Sequence, residues 1–264
     1  MRRCAGGWRA TCKAGMKAMI FAAGLGTRLR PLTERMPKAL VCVGGRALID
    51  IQIEKLAAAG FDEIVVNVHH FADLVEQHLR EHYINNKSVK LYISDERDEL
   101  LDTGGGLRKA ARMLAGSEPF VAHNVDILSN ANLRALYEEG KGKAAALLVS
   151  NRATQRYLLF DSDNKLVGWT NIATGEVRTP FVGLDISRCR RLAFAGIQAL
   201  SPKLLPYMER MPRKFSVIDF YLSVCAEVPV YGVVQPFFKM LDVGKPERLA
   251  AAEVFLRGGL EDVV

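Results

Sequence analysis

From Lys17 onward, short apolar or β-branched runs alternate with stretches of helical periodicity, and this alternation restricts the fold more than any other feature of the chain. The run 17–23 is followed by a glycine-rich turn. An amphipathic stretch over 46–60 then places Leu48, Ile51, Leu56 and Ala59 near helical spacing, with Gly60 as a stop. Strand 63–69, helix 71–83 and strand 88–94 complete a βαβαβ order, which predicts an α/β fold: a mainly parallel sheet with helices on both faces and right-handed crossovers. A helix near 106–114 leads into apolar runs at 119–127 and 143–150, read as central strands. Beyond 150 the texture changes to a hairpin over 157–170, a turn-rich stretch over 171–190 and a strand at 192–200. Helical stretches at 202–210 and 216–227, a strand at 228–234 and a helix after Pro246 finish a smaller, partly antiparallel portion. No repeat, linker or heptad intervenes, so 16–264 reads as one domain.

Composition removes several function classes. Of 264 residues, 49% are apolar and 25% charged, which suits a globular chain and excludes a disordered one. No apolar run approaches the ~18 residues a membrane span needs, so no membrane partner is expected. Five cysteines, an odd number without a CxxC pair, suit a reduced cytoplasmic setting. The formal charge of +7 is partly a matter of location: residues 1–15 hold Arg2, Arg3, Arg9 and Lys13 and no acid, so the remainder carries 7 minus 4, or +3. Residues 1–15 read as a flexible basic tail or as a start assigned too early, before Met16. A non-catalytic nucleotide- or RNA-binding module is the alternative of another class. It rests on charge alone, because no aromatics interleave with a basic face, and no nucleic-acid partner is expected.

The strongest chemical signal is AAGLGTRLRPLTERMPKAL at 22–40, directly behind the first strand. Gly24 and Gly26 let the backbone bend and bring N–H groups toward phosphate oxygens, with Arg28, Arg30 and Lys38 as cations beside them. The dinucleotide-binding pattern GxGxxG is incomplete, because Leu29 stands at its third glycine and Asn67, not an acid, ends the second strand. A second glycine cluster, LLDTGGGLRKA at 100–110, offers a surface without side chains, suited to a flat base or ribose. Asp126 in VAHNVDIL ends an apolar strand, and Asp242 in KMLDVGKPERL follows another apolar run. Two such carboxylates could hold one Mg²⁺ together with substrate phosphates; each alone could equally be a cap or turn residue. His78, Glu81 and His82 fit HxxEH, but no third ligand is indicated, and an amphipathic surface helix accounts for them.

GLGTRLRPLTERMPKAL resembles the signature of the sugar-1-phosphate nucleotidyltransferases, and the likeness extends over most of 16–255. The resemblance implies a Rossmann-like, mainly parallel mixed sheet whose smaller portion receives a sugar. It implies an enzyme that forms an NDP-sugar and pyrophosphate from an NTP and a sugar 1-phosphate. By the match, Arg28 and Lys38 are catalytic, and Ala22, Ala23, Gly24, Gly26, Thr27, Thr103, Gly104 and Gly105 bind nucleotide. Asp126 and Asp242 hold Mg²⁺, while Asn124, Phe194, Gly196 and Asp219 face the sugar. One departure is Val125, where the family usually has glycine. The LDTGGG loop is most similar to that of uridylyltransferases acting on N-acetylmuramate 1-phosphate. UTP and that sugar are therefore the favoured substrates, in cell-wall recycling, with mannose or heptose 1-phosphate guanylyl transfer as the alternative. The chain's oligomeric state is left open.

Overall fold

The computed structural model describes residues 15–258, so nearly all of the basic leader, and the last six residues, lie outside the described part. In chain order the elements are β1 (Met16–Phe21), β2 (Cys42–Val43), β3 (Arg46–Ala47), α1 (Leu48–Ala58), β4 (Phe61–Val68), α2 (Ala72–Tyr83) and β5 (Lys90–Asp95). There follow α3 (Asp102–Lys109), α4 (Ala111–Leu114), β6 (Phe120–Asn124), β7 (Ile127–Ser129), α5 (Leu133–Gly140) and β8 (Ala145–Ser150). The remainder comprises β9 (Arg156–Phe160), β10 (Leu166–Asn171), β11 (Glu176–Arg178), β12 (Arg190–Leu200), α6 (Val217–Val224), β13 (Val230–Val233), β14 (Met240–Asp242) and α7 (Leu249–Leu256).

A ten-stranded mixed sheet runs β11-β10-β9-β12-β6-β1-β4-β5, and β8 pairs with both β12 and β13. The β6-β1-β4-β5 side is parallel, and the β9–β12 side is antiparallel. The α/β architecture and its mixed sheet are as expected, with a larger antiparallel share than a mainly parallel sheet would have: among the described residues, four of the nine strand pairings are parallel and five antiparallel. Strand β1 shows why its sequence is apolar throughout: Ala18 and Ile20 enter the core beneath α1, whereas Met19 and Phe21 enter the one containing Phe120 and Phe220. A strand covered on both faces has no polar side to show.

Three differences from the sequence reading bear on the site. The apolar run 119–127 is not one strand: β6 stops at Asn124, Val125 and Asp126 turn, and β7 pairs with β14 instead of the main sheet. Here Val125 N–H donates to Phe21 O at 3.2 Å, so the turn is tied to the end of β1. The second glycine cluster is not a loop before a helix, because α3 begins at Asp102 and contains all three glycines. Finally, the stretch 202–210, read only as helical, is a run of tight 3-10 turns with Pro206 inside, as expected where proline removes a backbone donor.

Candidate active site

The glycine-rich bend leaves β1 at its carboxyl end. Ala22 N–H donates to Asn67 Oδ1 at 2.8 Å, and Asn67 Nδ2 donates to Glu96 Oε1 at 2.7 Å. Ala22 and Ala23 are thereby buried, while Gly24 is exposed and a Cβ there would meet no atom within 4 Å. Gly26 has φ +65°, and a Cβ would come within 2.7 Å of Thr33. Its carbonyl accepts from Leu29 N–H and from the Thr33 hydroxyl, each at 2.8 Å. Leu29, where a dinucleotide motif would need glycine, is a fully buried anchor; Thr27, Arg28 and Arg30 remain exposed.

Two ion pairs connect this bend to the aspartates. The Lys38 ammonium bonds the Asp126 carboxylate, and Arg28 Nη2 lies 3.8 Å from Asp242 Oδ2. The aspartates, over a hundred residues apart in sequence, are neighbours because β14 pairs antiparallel with β7. Asp242 lies opposite Ile127, and Val243 N–H donates to Asp126 O at 2.9 Å. Gly244 keeps the corner open: a Cβ would fall 2.5 Å from Asp242 Oδ1 and 2.6 Å from Arg28 Nη2. Among the described residues no cluster of three His, Cys, Asp or Glu is arranged for a metal. Two hard oxygen donors beside a glycine-rich, cationic bend nevertheless fit Mg²⁺, which commonly takes one or two carboxylates plus substrate phosphates.

The triple glycine serves packing. A Cβ at Gly104 would strike the Phe215 ring at 2.3 Å, one at Gly105 would meet Arg213 O at 3.0 Å, and one at Gly106 would meet Glu96 Oε1 at 2.8 Å. The Gly104 and Gly105 N–H groups both donate to Phe215 O, at 3.0 and 3.2 Å. Gly104 and Gly105 are thus buried against protein, and the open surface expected of the cluster is not formed by them. What α3 does offer is its first turn. Asp102, at φ +63°, and Thr103 line a cavity of about 280 Å³ with Ala23, Gly24, Asn67 and Glu96. Burial raises the Glu96 carboxyl pKa above its usual range, against the opposing hydrogen bond from Asn67.

Of the residues matched to the sugar, Asn124 and Gly196 meet directly. Gly196 has φ +73° in a bulge of β12, and a Cβ would lie 2.7 Å from Asn124 Nδ2. Phe194 is half-buried against the second core. Asp219 instead caps its own helix reciprocally with Ser216 and pairs with Arg178, whose guanidinium lies 4.1 Å above the Trp169 ring. Burial works to raise its pKa, but Ser216 and Arg178 outweigh that and hold the carboxyl below the usual range. His78 of the HxxEH pattern bonds the Asp50 carboxylate and stacks on His82.

Sequence reasoning missed the side chains that hold the Asp126 turn. Gln52 is 1% exposed, and its Nε2 reaches the carbonyls on either side of that aspartate, Val125 O at 3.4 Å and Ile127 O at 2.9 Å. Lys55, one turn further along α1, bonds Ser129 O and Ser129 Oγ, and burial lowers its pKa to about 8. His123 is fully buried and its pKa is lowered to about 3, chiefly by burial and then by the Lys55 charge. The available signal was a glutamine on the apolar stripe of α1, four residues from both Leu48 and Leu56.

The nucleotidyl transferase family model matches residues 17–157, a stretch spanning β1, the bend, α3 and Asp126. The chain belongs to the nucleotidyl transferase family. It is 36% identical, over 90% of its length and 96% of the relative's, to the N-acetylmuramate alpha-1-phosphate uridylyltransferase of Caulobacter vibrioides. It is 32% identical to mannose-1-phosphate guanylyltransferase 1 of Arabidopsis thaliana over 88% of this chain, which spans 62% of that longer protein. The solved UDP-glucose pyrophosphorylase of Acinetobacter baumannii shares the fold, with a TM-score of 0.74, 17% identity, and coverage of 94% of this chain and 95% of that one. The signature's resemblance to the sugar-1-phosphate nucleotidyltransferases is borne out, and the chain is an enzyme of that group. Among the described residues, no helix is long and apolar enough to cross a membrane.

Proposed function

We propose that the protein transfers a uridylyl group from UTP to N-acetylmuramate 1-phosphate. A phosphate oxygen of the sugar bonds to the α-phosphorus, and the bond from that phosphorus to the bridging oxygen breaks to release pyrophosphate. The observation that carries the reading is the meeting of Arg28, Lys38, Asp126 and Asp242 at one corner. The relative from Caulobacter, matched over nearly its whole length, favours the uridylyl and muramate assignment. The attacking phosphate is already ionised at neutral pH, so alignment and charge neutralisation supply the catalysis and no strong base is required.

In this reading Ala22, Ala23 and Gly24 line the base and ribose pocket, the backbone at Gly24 and Gly26 approaches the phosphates, and Thr103 with the turn around it borders the nucleoside. Arg28 stabilises the triphosphate and the charge developing at the reacting phosphorus, while Lys38 contacts the phosphates of the two substrates. Asp126 and Asp242 would hold Mg²⁺, which when bound supplies Lewis-acid charge to the phosphate oxygens. Asn124, Phe194 and Gly196 border the sugar. Residues 16–264 act as one catalytic unit, in the cytoplasm, in the recycling of cell-wall sugar. The test is a panel of UTP, GTP, CTP, ATP and dTTP against N-acetylmuramate, mannose, heptose and glucose 1-phosphates, read by pyrophosphate release. The reading expects UTP with N-acetylmuramate 1-phosphate to give the highest kcat/KM. GTP with mannose or heptose 1-phosphate in first place would replace it by the guanylyl alternative.

A further inference from the structure

Beside the Arg28–Asp242 pair, a cleft of about 1130 Å³ is lined by Arg28, Arg152, Arg156, Lys245 and Arg248 as well as by Asp242 and Glu247. The two acids are already engaged, Asp242 at 3.8 Å from Arg28 and Glu247 at 3.9 Å from Lys245. Arg152, Arg156 and Arg248 have no carboxylate within 4.0 Å among the described residues. The cleft therefore carries uncompensated positive charge next to the aspartates.

Arg152 is the cation whose position is fixed. Its Nη2 donates to Phe194 O at 3.1 Å, which ties the guanidinium to β12 two residues before the Gly196 bulge. That bond occupies one donor and leaves the rest of the fork open. Loss of hydration lowers the guanidinium pKa, and Asp242 is the carboxylate whose charge opposes this.

We propose that the Arg152 side of this cleft, away from the Arg28–Asp242 pair, is the subsite for a carboxylate carried by the acceptor sugar, with Arg152 as the residue that reads it. The inference rests on the muramate reading above and deepens it. A muramate differs from an ordinary N-acetylhexosamine by a lactyl ether, whose carboxylate is planar and singly charged. A half-tethered arginine fork matches that group bidentately, whereas a lysine would offer only a point charge. The reacting phosphates have their own cations in Arg28 and Lys38, so Arg152 is not needed for them.

The experiment compares N-acetylmuramate 1-phosphate with its lactyl methyl ester, UTP being the donor and pyrophosphate release the readout. Wild type is expected to prefer the acid by about 10- to 100-fold in kcat/KM, the range for losing a hydrogen bond to a charged group. Arg152→Gln should lower the acid's kcat/KM to the ester's level and change the ester's by less than about threefold. Arg152→Lys should leave an intermediate preference, and it serves as the test if the Gln variant fails to fold. Equal losses for acid and ester in both variants would overturn the proposal. So would an intact acid preference accompanied by a raised KM for pyrophosphate in the reverse direction, because the cleft would then serve the leaving group. Wild type that uses neither acid nor ester but another sugar phosphate would instead overturn the muramate reading, and this inference with it. That pattern is recognised before any variant is made.

Discussion

The two cation–carboxylate pairs of the site are built from similar groups and placed very differently. Lys38 and Asp126 have side chains 11% and 13% exposed and bond directly; Arg28 and Asp242 are 58% and 47% exposed and stand 3.8 Å apart. The first pair is part of the frame, held by Gln52 and by the bond from Val125 to the end of β1. The second is largely open to solvent. The lesson is that one corner can combine a buried pair with an exposed one, so that residues of the same type differ in what each contributes to stability.

Substituting the aspartates breaks the comparison most directly. Either Asp126→Ala or Asp242→Asn should lower turnover by roughly 10³-fold, given the several kcal/mol a metal contributes to charge stabilisation. Urea unfolding separates them. Asp126→Ala strands a buried ammonium and should cost about 3 kcal/mol, while Asp242→Asn should change stability by less than about 0.5 kcal/mol, as for an exposed pair. Equal stability losses would erase the distinction between buried and exposed pair. Next, Arg28→Ala should reduce kcat about 10²- to 10³-fold at saturating substrates, the size expected for one transition-state charge partner, with an unchanged unfolding midpoint.

The frame around the buried pair has a pH signature as well. His123 is kept neutral at a pKa of about 3 against an ordinary 6.5, so the unfolded chain takes up the proton first. Stability is complete above pH 6.5 and declines as the pH falls from there toward 3. Linkage gives a loss of about 2 kcal/mol at pH 5 relative to pH 7, and His123→Leu should flatten that part of the urea-derived profile. The smallest effect is expected at Gln52, a positioning residue that touches no substrate. Gln52→Met should raise the metal concentration for half-maximal activity about 10-fold, as for a lost outer-shell hydrogen bond. Nucleotide binding without metal should stay the same; a fall in stability with no shift in metal dependence would make Gln52 merely structural.

Much of this was legible in the sequence for a simple reason: periodicity reports which faces are buried. The strands that form the parallel side, β1, β4, β5 and β6, were visible as apolar runs, and the bend's glycines and cations were visible as a local pattern. What stayed hidden depends on partners distant in the chain. The glycines of α3 look like an open surface until Phe215, over a hundred residues later, fills the space beside Gly104. The run through Asp126 looks like one strand until the three-residue β14 draws β7 out of the main sheet. Gln52 and Gly244 carry no motif, and only the close approach of the Asp126 turn and of Arg28 explains them. Asp219 matches by position, yet Ser216 and the distant Arg178 take up its carboxylate, and Arg178 carried no signal of that pairing.

The central claim is that Asp126 and Asp242 act on one ion together with the nucleotide. Its most direct test is Mn²⁺ titration followed by electron paramagnetic resonance, with UTP present, on wild type and on Asp126→Asn and Asp242→Asn. The account predicts one Mn²⁺ per chain in wild type, with affinity weakened by at least about tenfold in both variants. Full-affinity binding in either variant would contradict it.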